Sequence, residues 1–260
     1  MLGFVAPAGS SPIPFFEVEP LPDFGQWGPV EVEPLRSIRR KVAMKMVASM
    51  TIVPHVTHMD EADVTELDAF RREQNTKRSA PQTKLTLLPF VAKAVLTQLR
   101  KAPQFNASID PFKQEIVYKR YFNLGFAADT PRGLVVPVIH QADRLSIDEL
   151  SEALQRLADK ARAGSIDVAE LRGGSFTITN VGTLGGTAVI PTINYPEAAI
   201  LGLGRAADRP VVRDGAIVIR KIMPMSLVFD HRLIDGADAA RFLSAVVARL
   251  SDPGRLLLES

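Results

Sequence analysis

Four titratable groups crowd into the six residues Asp230-His231-Arg232-Leu233-Ile234-Asp235, directly after the apolar run Ser226 to Phe229 and directly before a helical pattern opening at Gly236. This order sets an imidazole at the end of a strand, where a pocket can be built around it. An imidazole near neutral pH takes a proton from a thiol or a hydroxyl, so His231 is a candidate general base. The same residues also suit a surface turn in which Asp235 caps the following helix and His231 faces water. Composition by itself leaves both readings open.

A second segment, Gly173-Gly-Ser-Phe-Thr-Ile-Thr179-Asn-Val-Gly182-Thr-Leu-Gly-Gly186, runs a hydroxyl-bearing strand into a glycine-rich turn. Hydroxyl and backbone N–H groups in such a place can donate to a developing oxyanion. The segment lacks the Lys-Ser/Thr ending of a phosphate loop. Gly202-Leu-Gly204-Arg-Ala-Ala207 has alanine where a dinucleotide fingerprint has its third glycine, and Asp208-Arg-Pro210 follows instead of a helix. His55 and His58 stand three apart on a strand-like stretch and so point to opposite faces, and His140 has no partner by sequence. No metal site is expected. The absence of cysteine excludes disulfides, thiolate metal sites and a cysteine nucleophile, and it fits a reducing cytoplasm.

These groups need a substantial scaffold, and the chain can supply one. Its 260 residues are 46% apolar and 23% charged, the balance of a folded soluble protein. A net charge of +2 and the lack of a basic run longer than Arg39-Arg40-Lys41 argue against nucleic acid as partner. Apolar stretches of about ten residues fall short of the ~20 that span a bilayer. The first 35 residues differ: seven of the 19 prolines, five acidic residues, no basic one, and the aromatics Phe15, Phe16, Phe24 and Trp27. This composition predicts an extended arm whose aromatics lie on a folded surface. Residues 1–30 are read as a Pro-rich acidic linker and arm, and residues 31–260 as the folded domain.

Within that domain the spacing predicts a helix from Arg36 to the residues before Pro54, with Ile38, Val42, Met46 and Ala43, Val47, Met50 on one face. A strand follows at 53–59, a helix from Thr65 to about Arg78, and a helix from Thr86 that tolerates Pro89 in its first turn. Strands are expected at 115–128 and 134–139 around the turn Asp129–Gly133. Ser146 with Glu149 forms a capping box. Further strands are expected at 175–180, 198–203, 210–213, 216–221 and 223–229, with a last helix at 236–250. Helices and strands mix without regular alternation, which predicts an α+β fold with a mixed sheet.

Taken together, the segments resemble the dihydrolipoamide acyltransferases, the core enzymes of 2-oxo acid dehydrogenase complexes. Asp230-His-Arg-Leu-Ile-Asp-Gly236 with Ala-Asp-Ala-Ala-Arg-Phe242 resembles their active-site signature. It is joined in family order by Ile38-Arg-Arg40, Thr51-Ile-Val-Pro-His-Val-Thr57, Phe105-Asn-Ala-Ser-Ile-Asp110, Asp129-Thr-Pro-Arg-Gly-Leu-Val-Val-Pro137, Phe176-Thr-Ile-Thr-Asn-Val-Gly182 and Pro196-Glu-Ala-Ala-Ile-Leu-Gly202. The stretch His55 to Phe70 is most similar to the acetyltransferase of bacterial pyruvate dehydrogenase complexes.

The resemblance implies a chloramphenicol-acetyltransferase-like mixed sheet with flanking helices. It implies acyl transfer from acyl-dihydrolipoamide to coenzyme A, with coenzyme A and a lipoyl group on a separate domain as substrates and no metal. His231 matches the family's base, Thr179 falls where a serine hydroxyl holds the oxyanion, and Asp235 matches the second aspartate of the signature. Arg39 is the implied ion-pair partner of Asp235, supporting the site. The family forms homotrimers with the active site between subunits, assembled into a cubic core that binds a 2-oxo acid decarboxylase and dihydrolipoamide dehydrogenase. Lipoyl and peripheral subunit-binding domains have no counterpart in this sequence, so the chain is expected to be a truncated piece of a longer cytoplasmic protein. The rival expectations are a free-standing acetyltransferase acting on a hydroxyl and a catalytically silent assembly core.

Overall fold

The apolar run Ile222 to Phe229 forms the spine of the fold. In the computed structural model, which describes residues 20–35, 37–130, 133–182 and 185–259, it belongs to one long strand, β9 (Ala216–Asp230). Sequence spacing predicts two strands here. Pro224 does not break the strand, because its carbonyl still accepts from Gly204 N–H at 2.8 Å while the neighbouring partner changes. The outer half of β9 pairs with β8 (Ala207–Arg213) and the inner half with β7 (Ala199–Leu203). Every residue from Ile222 to Asp230 is buried, as expected of a strand covered on both faces.

The main sheet runs β1–β9–β7–β6–β4–β5, with β1 (His55–Asp63), β4 (Leu124–Phe126), β5 (Val138–Ile139) and β6 (Phe176–Asn180). β4, β6 and β7 are mutually parallel and the other pairings antiparallel, so the sheet is mixed. The strand expected over 115–128 is divided. β3 (Glu115–Tyr118) leaves the main sheet to pair with β2 (Ala107–Asp110), an element the spacing does not reveal. The strand expected at 134–139 shrinks to β5, preceded by a single bridge from Val135 to Ala128. Pro137 supplies no N–H to a ladder there.

Helices α3 (Leu88–Lys101), α4 (Ile147–Ala163) and α5 (Gly236–Leu250) pack together on one face of the sheet, and α2 (Thr65–Thr76) and α6 (Pro253–Leu258) complete that layer. α3 starts two residues later than expected from Thr86, which keeps Pro89 within the first turn, where its missing N–H costs nothing. Ser146 and Glu149 form both bonds of the capping box. Phe242 of α5 stacks on Phe105 at 4.2 Å between ring centroids and lies 6.1 Å from Phe176, so α5 is fixed against the sheet. Losing such a buried ring typically costs about 3–5 kcal/mol.

The opposite face is covered by the segment that leads from β6 into β7. Its backbone lies so close to β7 that side chains are excluded: a Cβ at Gly204 would sit 2.3 Å from the Thr187 carbonyl, and one at Gly202 would sit 2.8 Å from that of Val189. α1 (Ser37–Ile52) meets this face near its C-terminal end, where Ser49 Oγ donates to the Ile193 carbonyl at 2.7 Å. α1 forms where the spacing predicts a helix; Val42 and Met46 are half-buried, whereas Met44, Val47 and Met50 are each more than 60% exposed in the single chain.

The chain divides into two compact units, residues 1–36 and 37–260. In the first, the described residues hold one turn of 3-10 helix, Phe24–Gln26, started by Asp23 accepting from Gly25 N–H at 3.0 Å. Phe24 and Trp27 contact each other at 6.1 Å and are exposed. Phe15 and Phe16 of the expected arm lie outside the described residues, as do Arg36 and two residues of the 129–133 turn.

Candidate active site

β9 delivers His231 to the end of the sheet and then stops, for a local reason. The buried Asp230 carboxylate accepts from Arg232 Nε at 2.9 Å, Nη2 at 2.7 Å and backbone N–H at 3.0 Å. Its carbonyl accepts from Leu233 and Ile234 N–H. These bonds turn the chain sharply, and the buried Ile234 anchors the turn before α5 begins. His231 N–H donates to the Pro54 carbonyl at 3.1 Å, and its ring leans on Phe229 at 5.8 Å. The imidazole is exposed, and among the described residues neither ring nitrogen has a hydrogen-bond partner. The base candidate is thus held by its backbone while its ring nitrogens stay open to a substrate.

Thr179 lies on β6 opposite Gly202, half-buried. Strand alternation puts it on the same face as Thr177. No residue among those described receives a hydrogen bond from its hydroxyl. Just beyond it, Asn180 Oδ1 accepts from Gly182 N–H at 3.0 Å and closes the start of the glycine-rich turn; Thr183 and Leu184 of that turn lie outside the described residues.

His231 and Thr179 of one chain do not meet. Thr179 faces Gly202, Gly202 faces Ser226, and His231 lies five residues farther along β9. Two strand spacings and five residues of rise separate them by roughly 15–20 Å. One substrate carbonyl cannot touch both.

Asp235 takes the N-cap position of α5, with ψ at 159°, but its side chain makes no cap hydrogen bond. Arg39 is exposed near the start of α1. The end of α1 near Pro54 is the one beside His231, and Arg39 lies 13 residues before Ile52, roughly 20 Å up the helix axis. Among the described residues no ion pair joins Arg39 to Asp235.

Comparison with known proteins now decides the family. The profile of the 2-oxoacid dehydrogenases acyltransferase (catalytic domain) family matches residues 28–258. The chain belongs to this acyltransferase family. The acetyltransferase component of the Bacillus subtilis pyruvate dehydrogenase complex is 47% identical over 228 residues, 88% of this chain and 52% of that protein. The chain thus spans about half the length of the curated relatives it matches. A structure of Azotobacter vinelandii dihydrolipoamide acetyltransferase, determined with work on a serine, a histidine and an asparagine in its catalytic mechanism, is 40% identical with a TM-score of 0.88. It covers 92% of this chain and 100% of that one, as does the cubic core of a pyruvate dehydrogenase multienzyme complex, also at 40% and 0.88. Chloramphenicol acetyltransferase shares the fold, at 18% identity, a TM-score of 0.50 and coverage of 80% and 92%. The expected chloramphenicol-acetyltransferase-like mixed sheet is therefore the fold of this chain.

A feature that sequence reading missed lies beyond Thr179. A cavity of about 520 Å³ is lined by Asn180, Gly182 and Gly204 and by the cations Arg71, Arg72, Arg205 and Lys221, against one carboxylate, Asp68. Arg71, Arg72 and Lys221 all pair with Asp68 at 2.7–2.9 Å. Burial pushes Asp68 up, but hydrogen bonds from Lys221 and Arg71 outweigh it and leave the carboxyl below its ordinary value. Arg205 is exposed and in no ion pair among those described. Four cations against one anion make a site for a multiply charged anion. These residues come from α2, the end of β7 and β9, so no local motif marks them.

The other histidines have local duties. His55 Nε2 accepts from Ile193 N–H at 3.1 Å and its Nδ1 lies 2.8 Å from the Val53 carbonyl, which assigns the proton to Nδ1. His140 is exposed, with Nε2 3.4 Å from the Ala169 carbonyl. Among the described residues no cluster of three or more His, Cys, Asp or Glu side chains forms a metal site. Among the described residues no helix is long and apolar enough to cross a membrane.

Proposed function

We propose that the chain transfers an acetyl group from acetyl-dihydrolipoamide to coenzyme A, with the site built between neighbouring copies of a trimer. The observation that carries this reading is the separation of Thr179 from His231. Both groups suit the chemistry, yet they reach one carbonyl only if two chains supply them. The spacing supports the assignment: in the Azotobacter enzyme the studied serine stands 52 residues before the histidine and the asparagine four after it. Thr179, His231 and Asp235 are spaced alike. Threonine keeps the hydroxyl of the serine, and aspartate replaces the asparagine.

A free thiol of pKa ~8.5 is mostly protonated at neutral pH, so the attack needs a base. His231 takes the proton from the coenzyme A thiol as sulfur attacks the thioester carbonyl. The Thr179 hydroxyl of the neighbour donates to the resulting oxyanion. The tetrahedral intermediate then collapses: the carbon–sulfur bond to dihydrolipoamide breaks and His231 returns the proton to the departing sulfur. No covalent acyl-enzyme is needed. The basic cavity beyond Asn180 takes the phosphates of coenzyme A, since it adjoins Thr179 and carries the opposite charge.

The uncovered apolar side of α1 supports assembly, because Met44, Val47 and Met50 need a partner surface. Arg39 and Asp235 then pair between copies. Trimers build a cubic core, which binds the 2-oxo acid decarboxylase and dihydrolipoamide dehydrogenase in the bacterial cytoplasm. The test runs the reaction in reverse, from an acyl-coenzyme A to free dihydrolipoamide, and compares acetyl, succinyl and branched acyl donors. Preference for acetyl is expected. Transfer to a hydroxyl acceptor instead, or no transfer by an assembled particle, overturns the reading.

A further inference from the structure

The fold encloses one glutamate carboxylate that neither the site nor the basic cavity contains. Glu197, in the turn just before β7, is 4% exposed. Its Oε2 accepts from the Thr177 hydroxyl at 2.6 Å and its Oε1 from the Asn194 amide at 2.7 Å, while Asn194 also reaches Thr177 Oγ1 at 3.3 Å. Position 174 is glycine, and a Cβ there would approach Glu197 Oε1 to 2.9 Å. Two cations act on the carboxylate, Lys119 just after β3 and Lys45 of α1. Lys119 is itself tied to Ala107 O at 2.9 Å and Ser108 Oγ at 2.7 Å, and Ser108 donates to the Pro196 carbonyl. The nest therefore gathers groups from α1, the residue after β3, β6 and the turn around one acceptor.

Stability alone does not favour such a group. A buried ion replaced by an apolar side chain of similar volume is often neutral or stabilising, so its presence points to the geometry it enforces. That geometry touches both halves of the site. The next residue, Ala198, accepts from Asp230 N–H at 2.9 Å, and Ala199 pairs with Phe229. Two steps beyond that pair, the register sets Glu197 opposite His231. On its other side the carboxylate holds Thr177, two residues before Thr179 on the same face of β6.

We propose that Glu197 is a positioning residue, whose hydrogen bonds to Thr177 and Asn194 fix the turn that carries Ala198 and so set where His231 leaves β9. The inference rests on the acyl-transfer reading above. It acts through the backbone, and Glu197 touches no reacting atom. The coenzyme A cavity lies at the other end of β7, beside Gly204, so coenzyme A binding is not expected to depend on Glu197.

The test uses the assembled protein and three variants: Glu197→Gln, Thr177→Val, and the double variant Glu197→Gln/Asn194→Asp. The double variant exchanges donor and acceptor and keeps one negative charge before Lys119 and Lys45. Displacements near 1 Å can cost ~10²-fold, so Glu197→Gln should lower kcat at least about tenfold with KM for coenzyme A changed less than about twofold. Thr177→Val, which removes one donor, should move kcat in the same direction. The double variant should recover most of the loss. An activity-independent readout accompanies these: diethyl pyrocarbonate modification of His231, followed by peptide mass, should change rate in Glu197→Gln while that of His58 does not. Native kcat and native His231 reactivity in Glu197→Gln overturn the proposal. A double variant no better than the single one also overturns it. If the unmutated particle transfers no acyl group, the acyl-transfer reading fails, and the His231 reactivity still decides whether Glu197 positions that ring.

Discussion

The Thr177 hydroxyl donates to the buried Glu197 carboxylate at 2.6 Å, whereas the Thr179 hydroxyl, two residues on and on the same face of β6, is engaged by no described residue. One threonine is committed to the protein's interior and the other keeps its hydroxyl open. This division yields the first prediction. Thr179→Ser should keep most activity because the donor survives, and Thr179→Val should lose ~10²–10³-fold in kcat. Steady-state kinetics of the two variants decide it, and equal behaviour would show that something else holds the oxyanion.

His231→Ala should lower kcat at least ~100-fold with particle size unchanged, since it removes the base and its backbone contacts remain. The separation of His231 from Thr179 adds a sharper test. When the inactive His231→Ala and Thr179→Val chains are mixed, unfolded and reassembled together, shared sites should restore about a quarter of the native activity. Sites contained within one chain would restore none.

Asp235→Asn and Arg39→Ala should each weaken the assembled trimer and lower activity, and their effects should be non-additive if the two groups pair between copies. A double-mutant cycle read by melting temperature and by light scattering measures the coupling. Additive effects would remove the pair. Loss of activity in Asp235→Asn with an unchanged melting temperature would give Asp235 a direct role in the chemistry.

Arg205→Ala should raise KM for coenzyme A about threefold to fivefold, with kcat little changed, because an exposed ion contact is worth up to about 1 kcal/mol. The effect should shrink at high salt. An unchanged KM would locate the phosphates elsewhere.

Glu197 also carries a pH dependence. Burial pushes its carboxyl up to about 7, against the pull of Thr177, Asn194, Lys119 and Lys45, and burial holds Lys119 down at about 8. A carboxyl raised in the folded state binds its proton more tightly there than in the unfolded chain. Its contribution to stability is therefore complete below the ordinary glutamate range and is lost as pH rises through about 7. Between pH 5 and 8 the melting temperature of the native protein should fall relative to that of Glu197→Gln. A constant difference across that range would show that Glu197 does not titrate there.

The local part of this protein is written in its sequence. Ser226 to Gly236 specifies a strand, a sharp turn and a helix start in unbroken order, because each depends on neighbours in the chain: apolar residues buried on both faces, Asp230 bonding Arg232, and Asp235 at the N-cap. The Ser146–Glu149 box is likewise complete within four residues. The type of each of these elements could therefore be read directly, and His231 could be singled out as the candidate base. Tertiary structure alone decided the rest. It joined two expected strands into β9, because pairing to β8 and then β7 carries the backbone past Pro224. It separated Thr179 from His231 by two strands and five residues, a distance that depends on register. It gathered Arg71, Arg205 and Lys221 around one cavity, and Lys45, Lys119, Thr177 and Asn194 around Glu197. Charges brought together across a hundred residues and more leave no period or spacing in the chain, since only the closure of the sheet and its covering layers makes them neighbours.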